Sequence, residues 1–304
     1  MRIGALIVTT GLPHTGGVTA LLPEVGSISA GQRMISAFQC VEVSLIALVV
    51  GPENKKAERP FSQNGVIFLR READDADYFQ SIQYGLGFMR QHFDRVFVIP
   101  GDTCLFLPST LEKLIASNGD IVFPAHHHLH GYPVLLSQAA IDQVLKLDNM
   151  DQVKETFTGG TLSMEKISVE DPGTVIRSTD LTNRETLIHH QDAQLTRPVA
   201  EVTLCSGSPL FDPRLSMLLH LVEECRSVRD ACSLMQISYS TAWNMLNHVE
   251  DELGFPLVTR IRGGTSGSGS ELTEKGKALL DAYDQFSDRV TREAKALYRE
   301  IFTN

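Results

Sequence analysis

Ile3-Gly4-Ala5-Leu6-Ile7-Val8-Thr9-Thr10-Gly11 is an apolar run closed by small polar residues and a glycine, and its reading decides the fold of the first two-thirds of the chain. Six apolar residues stopped by turn-forming ones have the length of a buried strand and are too few for a helix. The loop continues through Leu12-Pro13-His14-Thr15-Gly16-Gly17, and residues 29–38 then show helical spacing. The alternation repeats downstream. Residues 44–50 and 66–69 are further apolar runs, and 77–92 is helical with Phe79, Ile82, Leu86 and Met89 on one face. Residues 96–99 form a fourth run, ending at Pro100-Gly101-Asp102. Ser109 reads as the N-cap of a helix over 110–116, and 121–123 and 133–136 complete the series. Strands that are apolar throughout and alternate with helices predict an α/β domain with a mostly parallel sheet covered on both faces.

The character changes near residue 192. Residues 193–212 hold Gly207, Pro198 and Pro209 and read as a linker with one short strand over 199–204. From 213 to 304 the chain is mostly helical. Leu215, Leu218, Leu219 and Val222 form one stripe, 228–235 is a short second helix and 240–253 a third. A strand-like 257–261 leads through Arg262-Gly263-Gly264-Thr265-Ser266-Gly267-Ser268-Gly269-Ser270 to Leu272-Thr273 and a long last helix. A Gly/Ser stretch set between two strand-like pieces reads as a hairpin tip. Helix, helix, turn, helix, glycine-rich hairpin is the order of a winged helix-turn-helix, in which the third helix enters the major groove.

The net charge is −10, from 27 Lys+Arg against 37 Asp+Glu. Residues 1–204 carry 16 against 23 and residues 205–304 carry 11 against 14. Neither part has the basic excess of a non-specific nucleic-acid binder, so DNA contact must come from a local patch. No apolar run approaches the roughly 18 residues that span a bilayer, and the N-terminus lacks a signal-peptide pattern. Five scattered cysteines without a CxxC pair indicate neither a disulfide framework nor a zinc site. A reducing cytoplasm is the expected location.

Candidate chemistry lies at four places. A loop between strand and helix is the usual seat of phosphate in α/β proteins, which makes Gly11, Gly16 and Gly17 nucleotide-binding candidates. Asp102, at the carboxyl end of the fourth strand, is placed to hold Mg²⁺ between phosphates; a turn or capping aspartate is the other reading. His126-His127-His128-Leu129-His130 has metal-type donors, but adjacent residues of an extended loop point in alternating directions, which favours a polar loop. In the C-terminal part, Ser240, Thr241, Asn244 and His248 share a helix face toward base edges, with Trp243 and Leu246 on the opposite, inward face. Arg260, Arg262 and the glycine-rich backbone suit phosphates. The acidic run Glu250-Asp251-Glu252 argues for the alternative, a packing domain without DNA contact.

Two stretches carry family resemblances. Ile237-Ser238-Tyr239-Ser240-Thr241-Ala242-Trp243, Pro256-Leu257-Val258-Thr259-Arg260 and the run from Arg262 to Gly276 make residues 213–302 resemble the winged helix of the molybdate-responsive regulator family (ModE), a relative of LysR-type winged helices. That family's oxyanion-binding domains would follow residue 304, so its molybdate response is not carried over. Ala5-Leu6-Ile7-Val8-Thr9-Thr10-Gly11, Ala20-Leu21-Leu22-Pro23, residues 96–102, Gly131-Tyr132-Pro133-Val134-Leu135-Leu136 and Asp171-Pro172-Gly173 with Asp180 and Glu185-Thr186-Leu187 make residues 1–192 resemble the MobA/MocA-like nucleotidyltransferases of molybdenum-cofactor maturation. That resemblance implies a Rossmann-like fold, Mg²⁺ on Asp102 and Asp180, and a pterin-type substrate near Gly131 and Pro133.

The departures shape the functional expectation. The family's first loop carries Arg-Met-Gly and then Lys on the phosphates; here residues 12–19 are one residue short and hold neither cation. Thr182 stands where the family has its second acidic metal ligand. Without fixed cations the electrostatic term that dominates phosphoryl chemistry is missing. The expectation is therefore a DNA-binding regulator whose degenerate nucleotidyltransferase domain senses a nucleotide or molybdopterin-type ligand, or docks a partner. The alternative is an active molybdopterin cytidylyl- or guanylyltransferase that also regulates its pathway. The broad apolar face of the last helix, with that of 215–222, predicts a homodimer on double-stranded DNA.

Overall fold

The computed structural model describes residues 1–11, 21–41, 43–52, 58–63, 65–71, 77–153, 160, 162–180, 184–261 and 269–302. The chain divides into two compact units, Met1–Thr196 and Arg197–Asn304.

In the first unit an eight-stranded sheet runs in the order β10 (Met164–Ser168), β7 (Ile121–His126), β9 (Val134–Ser137), β6 (Arg95–Pro100), β1 (Ile3–Val8), β4 (Val43–Val50) and β5 (Val66–Arg70), with β8 (Leu129–His130) added on β7. The pairs β1–β4, β1–β6, β4–β5 and β7–β10 are parallel. β9 is antiparallel to both β6 and β7. Both faces of β1 and β6 are buried along their whole length, as the unbroken apolar runs predicted. The chain moves from β1 to one side through β4 and β5, then crosses to the other side with β6. The strand order therefore reverses between β1 and β6, and the crevice at their carboxyl ends is where open α/β sheets bind ligands.

Four helices are placed by their caps. Ser29 caps α1 (Ala30–Cys40) in a reciprocal box with Gln32. Asp77 caps α2 (Tyr78–Met89) by accepting from Gln80 N. The next helix, α3 (Pro108–Ile115), starts earlier than the sequence suggested: Leu107 and not Ser109 is its N-cap, because Pro108 supplies the preset first turn. Ser137 caps α4 (Gln138–Val144). α5 (Glu185–Leu195) then packs on α1 through Arg33, which is fully buried. Arg33 Nη1 donates to Asp192 Oδ1 at 2.7 Å and to Gln191 Oε1 at 3.0 Å, and its Nε to the Val25 carbonyl at 2.5 Å. Gln191 in turn donates to the carbonyls of Cys104 and Phe106, so α5 is stitched to the loop that follows β6.

The stretch read as a linker, 193–212, is structured at both ends. α5 runs to Leu195, and β11 (Leu204–Ser206) and β12 (Ser208–Phe211) form an antiparallel hairpin within the second unit. Gly207, at φ +74° between the two strands, makes that turn possible. The expected strand over 199–204 is replaced by this later hairpin. Three helices follow: α6 (Pro213–Cys225), α7 (Val228–Met235) and α8 (Tyr239–Leu253). β13 (Val258–Ile261) and β14 (Gly269–Leu272) pair antiparallel, and α9 (Glu274–Phe302) ends the described chain. Leu215, Leu218, Leu219, Val222, Ala231, Met235, Leu246 and Val249 form the core.

Candidate functional site

The crevice of the first unit is built by the ends of β1 and β6 and by the loop after Asp171. Asp171 is buried and accepts from Leu107 N at 2.8 Å, Thr110 Oγ1 at 2.7 Å and Gly173 N at 3.0 Å. Burial pushes its pKa up, against those three hydrogen bonds. A Cβ on Gly173 would collide with the Leu105 carbonyl, so Asp171-Pro172-Gly173 is a staple that lays the following residues against β6. Ser178 N donates to the Asp102 carbonyl at 2.6 Å. Arg177, just before it, thereby reaches the Asp102 side chain.

That contact is the centre of the site. Arg177 Nη1 lies 2.5 Å from Asp102 Oδ1 and 3.3 Å from Thr103 Oγ1. The guanidinium carbon sits 5.3 Å from the centroid of the Tyr132 ring, a cation–π distance. The Tyr78 hydroxyl, at the start of α2, is buried and has no hydrogen-bond partner among the described residues. Burial raises its pKa well above the usual tyrosine value; Tyr132 and Asp102 add in the same direction and Arg177 opposes. Tyr78 is thus a phenol donor at every physiological pH. Arg177, Tyr132 and Tyr78 are what the sequence reading missed. Arg177 lay inside the quoted stretch between Asp171 and Asp180, but an isolated arginine carries no motif.

The predicted residues fare unevenly. Asp102 is at the crevice, as expected. Asp180 is exposed, in the turn that follows Arg177. Gly131 and Pro133 are buried, so the side chain their loop presents is that of Tyr132. Gly131 is required because a Cβ would crowd Thr174. Gly11 has φ +74° and packs against the backbone of Asp77 and Tyr78, a steric reason for glycine that owes nothing to phosphate. Gly16 and Gly17 lie outside the described residues. The residues present do not fit Mg²⁺. Beside Arg177 a divalent ion at Asp102 gains little: at about 4 Å from each group and an effective dielectric of 20, a repulsion of about 8 kcal/mol from the guanidinium offsets an equal attraction to the carboxylate. Mg²⁺ at Asp102 would compete with Arg177, which already holds Oδ1. The histidine run forms the β7–β8 turn, with His127 at φ +53° and His126 Nδ1 3.2 Å from the Val169 carbonyl.

In the second unit, Ser238 caps α8, accepting from Thr241 N at 3.0 Å and contacting the Ser240 and Thr241 hydroxyls at 2.9 and 2.7 Å. Ser240 and Asn244 are exposed and Thr241 is half-buried. Asn247 completes this face at i+7 from Ser240 and is exposed; the helical spacing could have found it. His248 departs from the expectation. Its Nε2 lies 3.0 Å from the Pro209 carbonyl and 3.5 Å from Ser208 Oγ, so it contacts the β11–β12 hairpin while its side chain stays exposed. Trp243 is only half-buried: Arg260 lies over its ring at 5.3 Å and Tyr239 meets it edge-on. The Glu250 carboxylate turns back to β13, accepting from Leu257 N at 2.7 Å and Val258 N at 3.1 Å. Arg262 and the wing tip over 263–268 lie outside the described residues.

Comparison with known proteins agrees with this division. Residues 15–161 match the family model of the MobA-like NTP transferase domain, and residues 214–277 that of the bacterial regulatory helix-turn-helix protein, lysR family. The chain is 32% identical over 90 residues to the molybdenum transport protein ModE of Azotobacter vinelandii, covering 29% of this chain and 33% of that one. It is 34% identical over 84 residues to the DNA-binding transcriptional dual regulator ModE of Escherichia coli strain K12, covering 27% and 32%. The chain thus spans about one third of the length of the curated relatives it matches. A nucleotidyl transferase from Methanothermobacter thermautotroptrophicus superposes with a TM-score of 0.51 at 14% identity, over 63% of this chain and 98% of that one; this likeness concerns the fold alone. The chain therefore joins a nucleotidyltransferase-type domain to a helix-turn-helix domain. No helix among the described residues is long and apolar enough to cross a membrane.

Proposed function

We propose that the protein is a DNA-binding transcription regulator in molybdenum-cofactor or molybdate metabolism, whose nucleotidyltransferase-type domain binds a small ligand without turnover. The observation that carries this reading is the exposed polar face Ser240, Asn244 and Asn247 of α8, followed by the paired strands of a wing. Asparagine is suited to bidentate contact with adenine, and serine to either strand's edges. Of the acidic run at the end of α8, Glu250 is held by backbone amides at the base of the wing, while Asp251 and Glu252 are exposed. The ModE names of the relatives support the molybdenum link, and Arg177 on Asp102 supports binding without metal-assisted transfer.

The regulator acts as a homodimer on double-stranded DNA. α9 extends about 43 Å at 1.5 Å per residue, yet after Tyr283 none of its described side chains is buried. Phe286, Val290, Leu297 and Ile301 fall within about 60° of one another around it at 100° per residue. Phe286 and Ile301 are 51% and 65% exposed, a stripe that a second copy would cover. Selection on random duplexes tests the function: an enriched, two-fold symmetric site is the expected result. Recovery of no enriched site, with and without nucleotides or molybdopterin precursors, would overturn it.

A further inference from the structure

The crevice at the carboxyl ends of β1 and β6 contains a cation that belongs to the chain. Arg177 is fixed from three sides: Nη1 donates to Asp102 Oδ1 and Thr103 Oγ1, the guanidinium lies over Tyr132, and the adjoining Ser178 N is tied to the Asp102 carbonyl. Its Nε and Nη2 donate to no acceptor among the described residues, and the side chain is 39% exposed. A guanidinium whose one edge is locked by a carboxylate presents its remaining donors in a fixed fork, the geometry that matches an oxyanion. The buried, unpartnered hydroxyl of Tyr78 is a neutral donor within electrostatic reach of Asp102, Arg177 and Tyr132.

We infer that Arg177 holds the cation position beside Asp102, so that this crevice binds the single anionic group of a small ligand (a phosphate monoester or free tetrahedral oxyanion) without any divalent metal. The inference rests on reading the first unit as a ligand-binding module and names the ligand's anionic class. The paired Asp102 and Arg177 are together neutral. One anionic group therefore meets matched donors, while the several charges of a triphosphate meet no further fixed cation among the described residues of the crevice. Tyr78 donates its hydroxyl hydrogen to the same group or to the atom that bears it.

Calorimetric titration of the full chain with CMP, CTP and inorganic phosphate, each in EDTA and in excess Mg²⁺, tests this. CMP or phosphate should bind with an affinity that changes less than twofold between the two conditions. Competition of phosphate against CMP separates a free oxyanion from a site that needs the nucleoside. Arg177→Ala should weaken binding at least tenfold, Arg177→Lys less, and Tyr78→Phe about threefold with an unchanged melting temperature. The inference is overturned if Mg²⁺ tightens CTP binding tenfold or more, if Arg177→Ala binds as the wild type does, or if no probe binds at millimolar concentration. Duplex selection on the same preparations keeps the two readings apart. Mg²⁺-dependent CTP binding with intact DNA recognition removes only this inference, whereas metal-free CMP binding without any enriched duplex removes only the regulator.

Discussion

Glu250→Ala should detach the wing from the recognition helix, and its cost can be worked from the contacts. Oε1 accepts from two amides, Leu257 N at 2.7 Å and Val258 N at 3.1 Å, and both residues are buried. The same short segment is anchored from below, since the Leu257 carbonyl accepts from Thr273 N at 2.9 Å and the Pro256 carbonyl from Thr273 Oγ1 at 2.7 Å. The alanine variant leaves two buried donors unpaired while the lower anchor holds. Hydrogen bonds to a charged acceptor contribute about 1.5–3 kcal/mol each, and Glu250 is only half-buried, so water softens the loss to roughly 2–4 kcal/mol in total. For a unit of about 100 residues this corresponds to a fall of roughly 8–16 °C in melting temperature. Calorimetry of the full chain should show that shift in the transition of the second unit, with the first unit's transition unmoved. Glu250→Gln keeps the acceptor oxygen and should cost about 1 kcal/mol. Below the transition, Glu250→Ala should weaken binding to all duplexes alike, because Arg260 rides on β13, while base preference set by α8 is kept. A variant that melts within 2 °C of the wild type would refute the brace.

Asp192→Ala removes one partner of the fully buried Arg33, but Gln191 and the Val25 carbonyl remain; because Asp192 is 37% exposed, the expected loss is about 2–3 kcal/mol, below the 3–5 of a wholly buried pair, read as a downshift of the first unit's melting. Phe286→Glu and Leu297→Glu should turn the dimer into a monomer in sedimentation without lowering secondary structure, since both side chains are more than half exposed; Leu280→Glu would not make this test, as Leu280 is inside the unit. Thiol titration at pH 8 should show Cys205 reacting fast and Cys104 and Cys225 slowly: burial pushes the latter two up to about 12, leaving about one thiolate in ten thousand. Asn244→Ala should cost about 1–3 kcal/mol at particular base pairs, and Arg262→Ala should weaken all duplexes and lower the salt slope by roughly one, in binding isotherms at several salt concentrations.

The strands were legible because burial on both faces leaves an unbroken apolar run, and β1, β4, β5 and β6 fall within a residue of their predicted spans. The antiparallel setting of β9 was not, since 134–137 reads the same in either direction; only the turn at β8 and the approach of Thr174 to Gly131 reverse it. The β11–β12 hairpin was hidden under residues that also suit a linker, Gly207 and Pro209. The contact of His248 with that hairpin was hidden for the same reason: helical spacing gives its angle on α8 but not its partner Pro209. Trp243 followed the inward face only in part, because Arg260 from β13 roofs the ring that would otherwise be core. Asp102 was found from its place at a strand end, a position the fold itself makes special. Arg177 depends on a tertiary contact 75 residues apart in sequence, which no local pattern encodes.

The two departures from the family pattern are one change in charge. In the arrangement the family resemblance implies, two carboxylates face a divalent cation, and the sum is neutral. Here Thr182 removes one negative charge, and Arg177 places a single positive charge 2.5 Å from Asp102. The sum is again neutral, reached without an ion. Either alteration alone would be unfavourable: Asp102 facing no cation would leave a carboxylate, whose side chain is only 15% exposed, partly desolvated and unpaired, and Arg177 beside two carboxylates and a metal would be driven out by the metal. Together they leave the loop geometry that Asp171 and Gly173 set, with Arg177 as the cation beside Asp102. A crevice that keeps its shape, its aromatic wall at Tyr132 and one fixed guanidinium can still recognise an anion. A phosphate entering there would meet the guanidinium beside Asp102. That combination is what a sensor coupled to a DNA-binding domain requires, since a ligand that is bound and released unchanged reports its own concentration.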